Sequence, residues 1–130
     1  MNMYLLDAGG AGLYYLVIGL FILFMLLAIL AEAWIMMLMK YHASFKKAFM
    51  DSLIINSISL AAGFILLQLF DSLGYYTLAT LAILYGITVI VETIILQLLN
   101  KKNILWKTIR VCLVMNLVTY IILYFIAGNT

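Results

Sequence analysis

Four long apolar runs follow one another along this 130-residue chain, separated by short polar breaks. The first extends from about Leu13 to Met39, the second from Ala48 to Phe70, the third from Tyr75 to Leu99 and the fourth from Leu105 to Ala127. At about 1.5 Å per helical residue, each can cross a hydrocarbon core roughly 30 Å thick. The runs are apolar on every face, whereas a membrane barrel strand alternates over only about 10 residues. The predicted fold is therefore an all-α integral membrane protein. Its four transmembrane helices form two tandem hairpins, at about 13–70 and 75–127, within a single membrane domain over 1–130. The glycine-rich residues 1–12 precede the first span, and Asp71-Ser72-Leu73-Gly74 reads as the turn between hairpins, with Gly74 as a helix stop. Tyr14, Tyr15, Tyr75 and Tyr76 suit one headgroup zone, and Tyr41 and Trp106 suit the other.

The few polar positions inside the runs carry a second pattern. Glu32 and Asn56 are 24 residues apart, as are Glu92 and Asn116, and the second pair follows the first at an offset of 60. The midpoints fall at Ser44 and Ile104, so a hairpin folded at each midpoint sets the Glu of one helix level with the Asn of the next. Ala48, Ser52, Asn56 and Ser59 on span two correspond at the same offset to Thr108, Cys112, Asn116 and Thr119 on span four. Their spacing of four, four and three keeps each set on one helical face. Gly63 extends the first stripe. Small and hydroxyl residues so placed read as a helix-packing seam, because close approach and interhelical hydrogen bonds drive association in lipid. The offset points to a parallel internal repeat with its pseudo-two-fold axis along the membrane normal.

Composition agrees with a membrane chain: 68% of residues are hydrophobic, 9% are charged and none is proline. Charge placement adds direction. All seven basic residues (Lys40, Lys46, Lys47, Lys101, Lys102, Lys107 and Arg110) cluster at the two hairpin tips, while both termini and the middle turn carry only Asp7 and Asp71. Under the positive-inside rule the tips are cytoplasmic and both termini outside, as in a bacterial inner membrane. No water-exposed basic face remains for nucleic acid. The first apolar run exceeds a signal-peptide core of about 7–15 residues, so it is expected to be retained.

Candidate chemistry centres on the two carboxyls. Glu32 lies eight residues before Lys40 and Glu92 nine before Lys101, roughly 12–14 Å inside the membrane boundary. An ionised acid at that depth is costly and marks either a functional site or a polar clasp. Glu32, Asn56, Glu92 and Asn116 are thus candidates for an ion or proton site, or for an interhelical clasp. Other residues offer less. His42 reads as a solvated loop residue, Cys112 as a small packing residue, and Met25, Met36, Met37 and Met39 as apolar filler. The basic tips can attract anionic lipid headgroups, at about 1 kcal/mol per residue. No metal, cofactor or catalytic constellation is legible.

In outline the chain resembles two families of small membrane proteins. Duplicated proteolipid rotor subunits of ion-translocating ATPases share two hairpins with intramembrane acids, but their acid sits on the second helix of a hairpin and their first helices are glycine-rich. Small multidrug-resistance transporters share the size, four spans and a Glu on span one, without the second Glu and the Asn pattern. No residue motif is shared, so no site is carried across. The expected function is a non-enzymatic accessory or scaffold subunit of a larger inner-membrane complex, associated with lipids and with other subunits or itself. The alternative is a proton- or cation-coupled transporter or channel titrating at Glu32 and Glu92.

Overall fold

The computed structural model describes residues 3–73 and 78–128, excepting the side chains of 3–11, 67, 70–73, 78, 80, 81, 123, 124 and 126–128. Four helices account for almost all of these residues: α1 (Met3–Leu38), α2 (Phe45–Leu73), α3 (Leu78–Leu99) and α4 (Leu105–Gly128). Each is long and apolar enough to cross a membrane. Two boundaries differ from the sequence reading. Helix α1 already begins at Met3, because the glycines near the start are outweighed by the apolar run that follows. Asp71, Ser72 and Leu73 complete the last turn of α2 instead of opening the inter-hairpin turn. The expected stop at Gly74 and the tyrosines at 75 and 76 lie outside the described residues.

The helices form a ring. Among the described residues, α1 packs against α2 and α4, and α3 packs against the same two. Helices α2 and α4 begin immediately after Ser44 and Ile104, the midpoints of the two Glu–Asn pairs. Ser44 occupies the N-cap position, where its residue type is favoured. The end of α1 is closed by paired bonds, from the Tyr41 amide to the Met36 carbonyl (2.8 Å) and from the Lys40 amide to the Met37 carbonyl (3.0 Å). This pattern requires a left-handed residue, usually glycine, and Lys40 fills it with φ of 53°.

Among the described side chains, the buried ones lie in the half of the bundle nearest the two basic loops. Every described side chain from Gly12 to Leu23 is exposed, and buried positions of α1 begin at Ala28. The core gathers Ala33 and Met36 of α1, Ala48 and Ile55 of α2, Val89 and Leu96 of α3, and Val111, Cys112 and Met115 of α4. Each buried residue described on α3 and α4 stands 60 positions after a buried residue of α1 or α2. Ala28 and Tyr41 are the buried residues of the first hairpin that lack such a counterpart. Tyr41, expected in the headgroup zone, is instead drawn into the bundle by its hydroxyl partner on α4.

A non-glycine residue held in the left-handed region costs roughly 1 kcal/mol. Lys40→Gly should therefore raise resistance to unfolding by up to about that amount, and Lys40→Val should lower it. Thermal or denaturant unfolding in detergent checks both, and equal stability of the two variants would contradict the assignment.

Candidate intramembrane carboxyl site

The α-helical period places Glu32 and Asn56 on facing sides of the first hairpin, and the structure brings them into contact. Both Glu32 and Glu92 are 1% exposed. One Glu32 oxygen accepts from the Asn56 side-chain amide and from the Ser52 hydroxyl, the latter at 2.8 Å. Asn56 is steadied by a second bond, from its amide to the Ser52 carbonyl one turn back (2.9 Å). In the second hairpin Asn116 donates to Glu92 at 2.5 Å and to the Cys112 carbonyl at 3.0 Å. The same local geometry is thus built twice, with Cys112 in place of Ser52. A buried carboxyl left without such donors would cost several kcal/mol in a medium that offers no water.

The acids also reach across the hairpins. Thr119 of α4 donates to the other oxygen of Glu32 at 3.3 Å. Ser59 of α2 presents its hydroxyl to Glu92. These two donors, like the acids they serve, are 60 residues apart. Two opposed clasps therefore share the interior of the ring. Of the remaining seam residues, Ala48, Ser52, Thr108 and Cys112 are buried, and Ser59 and Thr119 half-buried. A Cβ added at Gly63 would meet nothing within 4 Å, so no neighbour makes a close approach there. The Thr93 hydroxyl is buried beside the Cys112 thiol. Among the described residues no group of three or more His, Cys, Asp and Glu could hold a metal ion.

A second polar centre, at the basic end, was not singled out by the sequence reading. Asp51, 1% exposed, accepts from Lys47 at 2.7 Å, His42 at 2.9 Å and Asn100 of the opposite hairpin at 2.6 Å. His42 is therefore no solvated loop residue: its side chain is 7% exposed and folds back onto Asp51. Alongside runs a relay in which Tyr41 donates to Thr108 (3.0 Å), Thr108 to Gln97 (2.7 Å) and Gln97 to the Asn103 carbonyl (2.9 Å). Lys107 closes the end by donating to the Lys40 carbonyl at 2.6 Å, with its ammonium 5.9 Å from the Tyr41 ring centre. The available signals were the Lys47–Asp51 spacing of four and the row of Thr93 and Gln97 on α3, continued by Asn100 just past its end. Val111 occupies the position equivalent to Asp51, so this centre exists once.

Two outcomes follow from the geometry. A double-mutant cycle with Glu32→Leu and Asn56→Leu should return a favourable coupling between about 0.6 and 1.7 kcal/mol, the range of interhelical polar contacts in lipid. Zero coupling in a reversible unfolding assay would dissolve the clasp. Burial holds the His42 imidazole below its ordinary value of 6.5, against the opposing pull of Asp51. The unfolded chain then takes up this proton at higher pH than the folded one. Stability should fall as pH drops below about 6.5 toward the lowered folded value, and His42→Gln should flatten that slope in pH-dependent unfolding. No family model matches the chain, and no match to a curated protein or a solved structure was found.

Proposed function

We propose that the chain is a non-enzymatic accessory or scaffold subunit of a larger membrane protein complex, in which the two carboxyl clasps serve as structural ties. The observation that carries this reading is that both acids are buried and bonded to side chains of neighbouring helices. Both are 1% exposed; Glu32 accepts from Asn56, Ser52 and Thr119, and Glu92 accepts from Asn116. Of the two cavities described, neither is lined by Glu32 or Glu92. The one next to Thr119 measures about 20 Å³ and is otherwise walled by Phe24, Leu27, Ala28 and Ile122, so it lacks the roughly two to four polar partners that a bound water needs. The exposed outer half of α1, including Leu16, Leu20, Leu23 and Leu27, offers a long apolar surface for lipid or for another subunit's helix.

The proposal includes a duplicated hairpin, with basic tips on the cytoplasmic side of a bacterial inner membrane and both termini outside. The matched burial 60 residues apart supports the duplication. The confinement of Lys and Arg to the tips supports the orientation. One observation favours a second reading, a small proton- or cation-coupled transporter or channel. Both carboxyls are buried within one ring of helices, an arrangement suited to holding a proton or a monovalent cation.

Gentle extraction of the native membrane should recover the chain in fixed ratio with other membrane proteins, and Glu32→Gln with Glu92→Gln should leave that assembly intact. Recovery as a lone oligomer, with loss of proton or cation flux from liposomes on the same substitutions, would overturn the scaffold reading in favour of transport.

A further inference from the structure

We propose that the cleft between the two basic loops is a binding site for the phosphate headgroup of an anionic phospholipid. The cleft has a volume of about 460 Å³, with Tyr41, His42 and Ala43 on one wall and Leu98 through Asn103 on the other. That is within the range of small-molecule sites, roughly 300–1,000 Å³. It lies where α1 and α3 end, the level at which headgroups meet helices that span a bilayer.

The charge in this cleft is one-sided for a structural reason. Asp51 is the one described acid at this end of the bundle, and it is turned inward and consumed by His42, Lys47 and Asn100. Lys101 and Lys102 line the opening, are exposed, and form no ion pair among the described residues. A phosphate entering the cleft meets two ammonium groups and no competing carboxylate. The lower lip is apolar: Leu98 and Leu99 are exposed beside the lysines. Cationic and apolar walls side by side fit an amphiphile, whose glycerol and first methylenes would cover the leucines, better than a free phosphate ion.

Both hairpins build the cleft, and their loops are held in register by the Asn100–Asp51, Lys107–Lys40 and Tyr41–Thr108 bonds. This distinguishes the site from the general attraction of a basic loop for an anionic surface. A general field depends on the number of charges, and a built cleft depends on which ones. The inference does not rest on the scaffold reading.

The test uses the full chain in neutral detergent, titrated with phosphatidylglycerol or phosphatidylcholine and read by native mass spectrometry. One phosphatidylglycerol should be retained preferentially. Lys101→Gln with Lys102→Gln should weaken it by about tenfold or more, from the loss of two interfacial charges. Lys46→Gln with Arg110→Gln, an equal charge loss at exposed positions of the same end that do not line the cleft, should change it less than about twofold. Circular dichroism of each variant confirms that the helices persist, and Leu98→Gln with Leu99→Gln gives an independent loss through the apolar lip. The proposal is overturned by equal weakening in the two charge-loss variants, by no preference over phosphatidylcholine, or by displacement with equimolar inorganic phosphate.

Discussion

A carboxyl group placed deep in an apolar slab must find donors within the protein, and that requirement organises this molecule. Glu32 and Glu92 each occupy the inward face of the first helix of a hairpin. Each is met by an Asn on the returning helix and by a hydroxyl from the other hairpin. The contact within a hairpin fixes the register of its two helices, and the contact across hairpins fixes how the two units face. Apolar packing alone would leave both free to slide, since lipid competes equally well for Leu and Ile surfaces. Directional bonds in a medium without water supply the missing specificity.

The basic end performs a related task with different chemistry. There Asp51 gathers a lysine, a histidine and an asparagine from three segments, and the Tyr41–Thr108–Gln97 relay runs beside it. The carboxyl clasps obey the 60-residue offset, whereas the Asp51 centre breaks it, because Val111 stands at the equivalent position. The bundle thus combines two matching Glu–Asn contacts in its interior with an asymmetric end. That asymmetry leaves Lys101 and Lys102 on one loop without a counter-charge.

The four helices, the hairpin midpoints and the Glu–Asn contacts were legible because polar residues are scarce in this chain, so each one inside a span carries information. Register followed from simple arithmetic on the Glu and Asn positions. The cross-hairpin contacts of Thr119 and Ser59 were not legible, because they depend on which helices become neighbours in the ring. Asp51 was obscured by lying near a basic turn, where an acid ordinarily belongs to the solvated surface. His42 was misread for the same reason: proximity to lysines suggested water, while its actual neighbour is nine residues onward along α2. Helix ends were the least legible feature, since Asp71 and Ser72 are turn formers that here simply finish a helix.

The central claim is that the two glutamates are clasped by asparagine inside the bundle, and the chain contains only these two glutamates. Magic-angle-spinning NMR in lipid bilayers, with ¹³C at the glutamate carboxyl and ¹⁵N at the asparagine side-chain amide, reads that contact directly. The account expects two dipolar contacts at hydrogen-bond range, one lost on Asn56→Leu and the other on Asn116→Leu. Carboxyl carbons that show no amide contact and exchange freely with water protons would contradict it.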